Sequence, residues 1–299
     1  MPGQLNFWPG EAGPAIRWSV TRGKRFRDCL RRYYYHHYAS AKNKNHEAFV
    51  LKHLSNRYSW TGNAVHEALE YALKALRDGR VLGVDDVVNQ ATKRMRTQYL
   101  ESVKKRYREK PGVAFGLFEH EFAENIAKET WAGCQIQAER CIRQAMDLPL
   151  WGLLRDLKPE NWFAVETMRS FRLRAGSVIV KPDLAYRDPD GCVVLVDWKT
   201  GKPRPEDDRM QLGVYGLYAQ QAGWGEPLVG VLAYLDNVLL DEQPVDVHVL
   251  ETTKITIEQS MTHMRAVLRN GHAHEEDFPR TDDLRMCGMC SFKRICGRE

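Results

Sequence analysis

Residues 180–201 read V-K-P-D-L-A-Y-R-D-P-D-G-C-V-V-L-V-D-W-K-T-G, and residues 211–218 read Q-L-G-V-Y-G-L-Y. Two mainly apolar runs, residues 177–186 and 192–198, flank the sequence Asp188-Pro189-Asp190-Gly191. A turn of Asp, Pro and Gly between two apolar runs is typical of a β-hairpin. This stretch therefore predicts two antiparallel strands that are joined by a polar turn.

Each predicted strand carries one carboxylate, Asp183 on the first and Asp197 at the end of the second. Lys199 follows Asp197 by two residues. Because strand side chains alternate between faces, Asp197 and Lys199 point to one side of the sheet and Trp198 points to the other. Asp197 ends an apolar run, where an unpaired charge would be unfavourable, so we interpret it as a functional residue. The alternative is a surface hairpin with a chance Asp-x-Lys sequence.

Two carboxylates and an ammonium group at one sheet end suit phosphodiester hydrolysis. Carboxylate oxygens bind hard divalent cations such as Mg²⁺ or Mn²⁺, and these polarise a phosphoryl oxygen and lower the pKa of bound water. The lysine can orient or deprotonate that water, or stabilise developing negative charge. After Pro205 the periodicity becomes helical and places Gln211 and Tyr215 four residues apart on one face.

These motifs resemble those of the RecB-like nucleases of the PD-(D/E)xK superfamily. Pro182-Asp183 resembles the PD half, Asp197-Trp198-Lys199 the (D/E)xK half, and Gln211-x-x-x-Tyr215 the helical Q-x-x-x-Y motif. The resemblance implies an α/β, restriction-endonuclease-like core with a central mixed sheet flanked by helices. It also implies metal-dependent DNA hydrolysis, in which Gln211 and Tyr215 orient Lys199 and the scissile phosphate.

A further motif lies in a helix that the sequence predicts over residues 60–77. The run Gly62-Asn63-Ala64-Val65-His66-Glu67 resembles the G-x-x-x-H-E motif on the first core helix of RecB-like nucleases. By that resemblance His66 is a metal ligand together with the two aspartates. From the residues alone, a histidine beside apolar neighbours is more often a core histidine. Glu67 points away from His66 on a helix, and we expect a structural role for it.

The strand predicted over residues 162–174 contains Glu166 near its start. By resemblance, Glu166 supports the metal site, and a cross-strand pair with Arg169 or Arg172 is the alternative. Val180 stands where relatives often have a glycine before the first aspartate, which leaves the local strand geometry open. Further strands are predicted over residues 228–235 and 245–250, with a helix over residues 252–270.

The 299 residues are 43% hydrophobic and carry a formal net charge of +5. This length and composition suit a soluble chain with a substantial core. The mild positive charge is compatible with a nucleic-acid partner without requiring one. No apolar run approaches the ~20 residues of a membrane span, and the first 13 residues lack the pattern of a signal peptide. We therefore expect a cytoplasmic protein that has no membrane partner.

Residues 18–38 predict a helix, beginning after Ser19, in which basic residues are interleaved with aromatic ones. Its basic and aromatic members are Arg22, Lys24, Arg25, Arg27, Arg31, Arg32, Tyr33, Tyr34, Tyr35 and Tyr38. This composition suits phosphate contacts combined with base stacking. The alternative is a helix whose tyrosines pack inward while its arginines are solvated.

Two long helices are predicted over residues 84–110 and 115–147, separated by Pro111-Gly112. Because they interrupt the core pattern, we expect residues 84–147 to form a helical insert rather than a separate folding unit. The first helix ends in a basic run of Lys104, Lys105, Arg106, Arg108 and Lys110. Such a run is more often a solvated face than a funnel for a DNA strand. Cys134 and Cys141 in the second helix are expected to be buried by packing.

Three late cysteines, Cys287, Cys290 and Cys296, follow the spacing C-x2-C-x5-C. Tetrahedral metal sites and cubane clusters usually take four ligands. The context of Cys29, F-R-D-C-L-R-R-Y-Y-Y, resembles the upstream cysteine helix of iron–sulfur RecB-like nucleases. These include the CRISPR-adaptation exonucleases, the AddB-type nuclease domains and exonuclease V. The resemblance implies a [4Fe–4S] cluster on Cys29 and the three late cysteines, whereas structural Zn²⁺ fits the same thiolates.

Together these observations predict a single nuclease domain over residues 1–299, in which residues 281–299 form a cysteine segment paired with Cys29. The predicted function is a Mg²⁺- or Mn²⁺-dependent DNA exonuclease acting on single strands or ends, in DNA repair or CRISPR adaptation. The sequence contains no G-x-x-x-x-G-K-[ST] loop, so unwinding would need a helicase or a recombination or adaptation protein as partner. The alternatives are a DNA-end-binding subunit with little turnover and a zinc-stabilised interaction module.

Overall fold

The structure, a computed structural model, describes residues 16–41 and 44–298. The segment examined for a signal peptide and the outermost residues of the predicted domain lie outside the described residues. The strands are β1 (Arg17–Trp18), β2 (Leu54–Ser55), β3 (Gly116–Leu117), β4 (Trp162–Val165), β5 (Arg169–Leu173), β6 (Gly176–Val180), β7 (Leu184–Arg187), β8 (Val193–Lys199), β9 (Leu228–Tyr234) and β10 (Leu239–Pro244). The α-helices are α1 (Val20–Asp28), α2 (Leu30–Tyr34), α3 (His46–Leu51), α4 (Arg57–Arg77), α5 (Val84–Val103), α6 (Arg106–Glu109), α7 (Phe118–Glu121), α8 (Lys128–Met146), α9 (Leu150–Arg155), α10 (Pro205–Gln221), α11 (Val247–Ala266), α12 (Arg285–Gly288) and α13 (Lys293–Cys296).

The main sheet is mixed, with the strand order β10-β9-β8-β7-β4. β8 and β9 are parallel, whereas the other neighbours are antiparallel. β7 and β8 form the predicted hairpin, and the Asp188 side chain accepts a hydrogen bond from the Cys192 N–H (2.8 Å) within the turn. An aspartate that caps its own turn in this way is a common device. The hairpin prediction is confirmed.

Helices cover both faces of this sheet. On β8, Val194, Val196 and Trp198 pack into the core formed with α4, α5 and α8. The alternate residues Val193 and Leu195 pack into the second core, which includes α10 and α11. A strand that is apolar on both faces belongs in the middle of a layered α/β domain. The predicted central mixed sheet flanked by helices is therefore confirmed.

The long strands predicted over residues 162–174 and 177–186 are both broken, so that part of the prediction was wrong. Glu166 adopts a left-handed conformation (φ 47°) after β4, and Pro182, which has no N–H for a ladder, interrupts β6 and β7. The pieces on the other side of the breaks, β5 and β6, lie in a separate sheet, in which β6 pairs with both β1 and β5. The Glu166 N–H donates to the Asp183 carbonyl over 3.0 Å. The two breaks therefore meet at one corner.

The N-terminal helix is also broken, because Cys29 is extended (φ −165°, ψ 115°) between α1 and α2. Its Sγ accepts a hydrogen bond from the Arg32 N–H (3.4 Å), and the Arg31 N–H donates to the Pro279 carbonyl (3.1 Å). The backbone after α2 continues as a π-helix over Tyr35–Ala39. Tyr33 and Tyr35 are buried, as the inward-packing interpretation predicts.

The segment predicted as two long helices contains α5 to α8, and its helices end earlier than expected. α5 ends at Val103, and Lys105 beyond it has a left-handed backbone (φ 50°). α5 and α8 pack with α4 in the core under the sheet, and this burial includes Cys134 and Cys141. In the basic run, Arg108 pairs with Glu47 and Glu121. The other members of the run are exposed.

The strand predicted over residues 245–250 was wrong, because α11 begins at Val247. The Asp246 side chain caps this helix by accepting a hydrogen bond from the Val249 N–H (2.9 Å). A short apolar run does not distinguish a strand from the first turns of a helix. Along residues 16–41 and 44–298, no helix combines the length and apolar composition needed to cross a bilayer.

Candidate metal and catalytic centre

Three side chains with metal-binding atoms meet at the corner where β4 ends and β7 begins. His66 projects from the middle of α4, and its Nδ1 lies 3.0 Å from Glu166 Oε1 and 3.4 Å from Asp183 Oδ2. One ligand atom from each of the three residues lies within 4.8 Å of the others. Glu166 and Asp183 are buried, whereas His66 is partly exposed, so the group opens to solvent on the histidine side.

The donor set of this group suits a hard divalent cation. Carboxylate oxygens suit both Mg²⁺ and Mn²⁺. Mn²⁺, a transition metal, accepts an imidazole nitrogen as a further ligand more readily than Mg²⁺ does. Burial disfavours the imidazolium, but the carboxylates of Asp183 and Glu166 outweigh it and hold the pKa of His66 well above its usual range. Since imidazole binds metal in its neutral form, metal binding here would release that proton.

Asp197 lies beside Asp183 across the hairpin. The ladder pairs Leu184 with Val196, so the next position outward sets the two aspartates opposite each other. The Trp198 N–H donates to Asp183 Oδ2 over 2.8 Å. Burial and the negative charge of Asp183 raise the pKa of Asp197 to about 6. Asp197 therefore adjoins the group of three, and a cation would offset the repulsion between the two carboxylates.

Lys199 points to the same side of the sheet as Asp197. Its Nζ lies 2.5 Å from Asp197 Oδ2 and 3.3 Å from Asp208 Oδ1, and it donates to Gln211 Oε1 over 3.2 Å. Burial acts to lower the pKa of Lys199, but the two carboxylates outweigh burial and raise it. The side chain is thus held as an ammonium ion. In that form it can orient water or stabilise negative charge, but it does not accept a proton.

The residues of the Q-x-x-x-Y motif lie one turn apart on α10 and face β8. Gln211 Nε2 donates to the Tyr215 hydroxyl over 2.7 Å. That hydroxyl lies 2.9 Å from Asp197 Oδ1 and 3.1 Å from the Lys181 carbonyl. Burial and the nearby aspartates raise the pKa of Tyr215 well above its usual range, so the hydroxyl keeps its proton. The two side chains therefore fix both Asp197 and Lys199.

Comparison with known proteins identifies the family. A sequence model of the PD-(D/E)XK nuclease superfamily matches residues 17–297. The chain belongs to this superfamily. No curated protein matches the chain. Among solved structures, the crystal structure of SSO0001 is similar over 76% of this chain and 94% of its own length, with 17% sequence identity and a TM-score of 0.30, a likeness too weak to support an argument.

Membership of the PD-(D/E)XK superfamily gives the reaction class. Its nucleases use divalent metals and hydrolyse phosphodiester bonds in DNA. The His66, Glu166 and Asp183 group fits that metal requirement. Glu166 was expected only to support the site, and its partners are His66 and Lys181 rather than the strand arginines proposed as the alternative. Glu67 pairs outward with Arg94 (2.8 Å), in agreement with a structural role.

Sequence reasoning missed two residues of this PD-(D/E)XK centre. Asp208 is buried on α10, where its Oδ2 accepts hydrogen bonds from the Arg204 N–H (2.8 Å) and the Tyr234 hydroxyl (2.9 Å). It lies three residues before Gln211, a helical spacing that could have identified it. Lys181 Nζ lies 2.6 Å from Glu166 Oε2. No local spacing rule connects those two residues, because Glu166 follows β4 and Lys181 follows β6.

The cysteines predicted to act together line one cavity. Cys29, at the junction of α1 and α2, faces the three late cysteines from residues 281–299, and Arg32, Tyr35 and Phe292 form part of the wall. Burial raises the pKa of Cys290 and of Cys296, and the other cysteine thiols act in the same direction. The lining brings four cysteine residues to one cavity, and four is the number of ligands that a cluster or a zinc ion usually takes.

Proposed function

We propose that this chain is a RecB-like DNA exonuclease that acts on single strands or strand ends with bound Mg²⁺ or Mn²⁺. The observation that carries the proposal is that the ligand group of His66, Glu166 and Asp183 adjoins the pair of Asp197 and Lys199. The exonuclease mode rests on the motif resemblance. So does a role in DNA repair or CRISPR adaptation beside a helicase or a recombination or adaptation protein.

In this proposal, His66, Asp183 and Asp197 hold the cation, and Glu166 is a further donor or orients His66. The cation supplies positive charge to a phosphoryl oxygen and lowers the pKa of a bound water. Lys199 orients the attacking water or stabilises negative charge on the phosphate. Gln211 and Tyr215 keep Lys199 and Asp197 in place through the hydrogen bonds described above.

The test is cleavage of an end-labelled single-stranded oligonucleotide in the presence of Mn²⁺. Asp197→Ala removes a buried carboxylate of the site, and Asp190→Ala removes an exposed one from the turn of the same hairpin. We expect the first variant to lose about 10³-fold or more in rate, because the metal contributes several kcal/mol to the transition state. The control should cut like wild type.

The product pattern separates the remaining possibilities. A ladder that shortens from one end supports an exonuclease, whereas internal fragments point to an endonuclease. Wild-type protein that binds DNA ends without cutting them in Mg²⁺ or Mn²⁺ refutes the enzyme and favours an end-binding subunit. Equal rates for Asp197→Ala and Asp190→Ala would contradict the assignment of the site.

We also propose that Cys29, Cys287, Cys290 and Cys296 hold a [4Fe–4S] cluster, which ties residues 281–299 to the N-terminal helices of the nuclease domain. The shared cavity supports a group with four thiolate ligands, and the choice of iron–sulfur over zinc rests on the motif resemblance. A cross-link between distant chain segments stabilises the folded state chiefly by restricting the unfolded chain. A structural role therefore accounts for its position.

Anaerobic purification tests this second proposal by visible absorption and by iron, sulfide and zinc analysis. We expect about four iron and four sulfide per chain. Cys290→Ser should lose both, whereas Cys192→Ser, a half-buried cysteine in the hairpin, should retain them. A colourless protein with stoichiometric zinc would refute the iron–sulfur assignment. A protein without metal at these cysteines would refute both assignments.

A further inference from the structure

Three arginines of the N-terminal helices lack a carboxylate partner. Within residues 16–41 and 44–298, Arg22, Arg25 and Arg32 make no ion pair. By contrast, Arg27 on α1 pairs with Asp207 (2.7 Å), and Arg31 on α2 pairs with Glu275 (2.5 Å). The segment therefore contains two sets of arginines, one that is anchored by ion pairs and one that makes none within the described residues.

Arg25 is the centre of the uncompensated set. It is partly buried, and its Nη1 lies 3.2 Å from His37 Nε2. Its Nε is buried and has no hydrogen-bond partner among the described residues. Burial, followed by the charges of Arg32 and Arg22, outweighs the nearby carboxylate of Asp28 and lowers the pKa of Arg25 to about 10. A guanidinium that is removed from water without a counter-charge costs stability. An anion that bound here would offset that cost.

Two imidazoles and a lysine complete this group. His36 and His37 lie on the π-helix with ring centroids 4.6 Å apart. In the part of the chain that the structure describes, His36 Nδ1 is buried and has no hydrogen-bond partner. Burial, followed by nearby cations that include Arg25 and Lys52, lowers the pKa of His36 to about 3. The imidazoles are therefore neutral N–H donors beside the cations. π-Helical turns occur frequently at functional sites.

We call Arg22, Arg25, Arg32, His36, His37 and Lys52 the cationic cluster. The cysteine cavity does not account for it, because Arg32 lines that cavity whereas Arg25 and His36 do not. Base stacking does not account for it either. Tyr33, the ring nearest to it, is buried, and its hydroxyl accepts hydrogen bonds from Arg22 Nε (3.0 Å) and Nη2 (2.9 Å).

The cluster lies close to the catalytic helix. α1 packs against α10, where Lys24 and Arg27 of α1 both bind Asp207. Asp207 is the residue before Asp208, which contacts Lys199. Two members of the cationic cluster, Arg22 and Arg25, are therefore on a helix that is anchored beside the candidate active site.

We propose that the cationic cluster binds an internal phosphodiester group of single-stranded DNA, an inference that rests on the proposed function. Guanidinium groups match phosphate oxygens with paired N–H donors, and the neutral imidazoles add further donors. The phosphate supplies the ion-pair partner that Arg25 does not have among the described residues. The cluster thus holds the strand by its backbone, without reading base identity, while the scissile bond lies at the metal corner.

The experiment measures binding of a fluorescent single-stranded oligonucleotide by anisotropy over a salt series, with Mg²⁺ present. All proteins carry Asp197→Ala, so that binding is measured without cleavage. Arg25→Gln is compared with Arg27→Gln, which removes the same charge from the same helix at the Asp207 ion pair. Arg25→Lys keeps the charge but loses the paired donors, and thermal unfolding of each variant reports on the fold.

We expect Arg25→Gln to weaken binding about tenfold or more, since charge-assisted hydrogen bonds to phosphate are strong. It should also reduce the slope of log affinity against log salt by about 0.7, the value for one phosphate contact on a single strand. Arg27→Gln should change the affinity less than about twofold. Arg25→Lys should bind with intermediate affinity and keep the wild-type slope.

Equal affinities for Arg25→Gln and Arg27→Gln would overturn the proposal. If Arg25→Gln unfolds, Arg22→Gln takes its place in the same comparison. Oligonucleotides with a 5′-phosphate or a 5′-hydroxyl separate two sources of phosphate. If Arg25→Gln weakens binding of the 5′-phosphorylated strand only, the cluster binds a terminal phosphate, and the proposal of an internal phosphodiester is overturned. The two proposals can fail separately. If Arg25→Gln weakens DNA binding but the wild-type chain does not cleave DNA, only the nuclease proposal is refuted.

Discussion

Asp208 provides the sharpest test of how Lys199 is positioned. The Asp208→Asn substitution preserves the shape of the side chain but removes the second carboxylate on the ammonium group. The remaining partners of Lys199 are Asp197 Oδ2 at 2.5 Å and Gln211 Oε1 at 3.2 Å. The buried amide also faces the Arg204 N–H and the Tyr234 hydroxyl, which both donate to Asp208. An amide nitrogen cannot accept either bond.

The magnitude follows from the geometry. The Lys199 Nζ to Asp208 Oδ1 distance is 3.3 Å, and at an effective dielectric of about 20 this separation corresponds to roughly 5 kcal/mol of attraction. Desolvation offsets part of that attraction, and breaking one side of a buried pair costs about 3–5 kcal/mol. Because Asp197 remains, we expect a loss of about 3 kcal/mol in unfolding free energy. A lysine displaced by about 1 Å would lower kcat about 10²-fold.

The assay is single-turnover cleavage of end-labelled single-stranded DNA with saturating Mn²⁺, combined with urea unfolding. We expect kcat to fall while KM stays within about twofold, because Asp208 touches Lys199 and not the DNA. Asp207→Asn is the matched control, since it removes the neighbouring, half-buried carboxylate, which pairs with Lys24 and Arg27 and does not contact Lys199. Tyr234→Phe removes one hydrogen bond to Asp208 and should give a smaller effect in the same direction. Wild-type kcat in Asp208→Asn would refute the positioning argument.

Three other substitutions test separate parts of the structure. Glu166→Gln should weaken Mn²⁺ binding about 10- to 100-fold in isothermal titration, because Glu166 contacts both His66 and Lys181. If the affinity for Mn²⁺ is unchanged, Glu166 is not part of the metal site. Trp198→Ala should lower the unfolding free energy by about 3–5 kcal/mol, since Trp198 lies in the core and only 1% of it is exposed. A loss below about 1 kcal/mol in urea unfolding would contradict this packing. Glu121→Gln should flatten the acid side of the stability profile, because Arg108, Arg294 and Tyr107 outweigh burial and lower the pKa of Glu121 below 4.5. The ionised Glu121 carboxylate stabilises the wild type above the unfolded-state pKa, and this stabilisation is lost as the pH falls through the folded-state pKa. The urea midpoints of wild type and Glu121→Gln should therefore converge in acid. A difference in midpoint that does not change with pH would contradict the lowered pKa of Glu121.

The hairpin of β7 and β8 was predictable because its information is local. Alternating strand faces place Asp197 and Lys199 together, and a four-residue spacing places Gln211 and Tyr215 on one helix face. His66 came from the motif resemblance instead, since from the residues alone it would be a core histidine. For the hairpin and for Gln211 and Tyr215, the residues are close in sequence, so periodicity indicates which side chains share a surface.

The strand breaks at Glu166 and Pro182 were not predictable in the same way. Residues 177–186 are apolar on both sides of Lys181-Pro182-Asp183. Pro182 is a local signal for a break, but only the pairing of β6 with β1 and β5 shows that the chain changes sheets there. The break in the N-terminal helix at Cys29 has a similar cause. The Pro279 carbonyl that receives the Arg31 N–H comes from the other end of the chain.

The sequence by itself determined the order of the motifs, the hairpin and the helical residues that face it, and the motif resemblance predicted the four cysteines that line one cavity. The tertiary structure alone decided that Glu166 lies with His66 and Asp183 rather than with the strand arginines, that Asp208 contacts Lys199, and that Arg25 makes no ion pair within the described residues. The physical reason is that ion pairing and burial depend on distances between side chains that are far apart in sequence. Local periodicity carries no information about those distances.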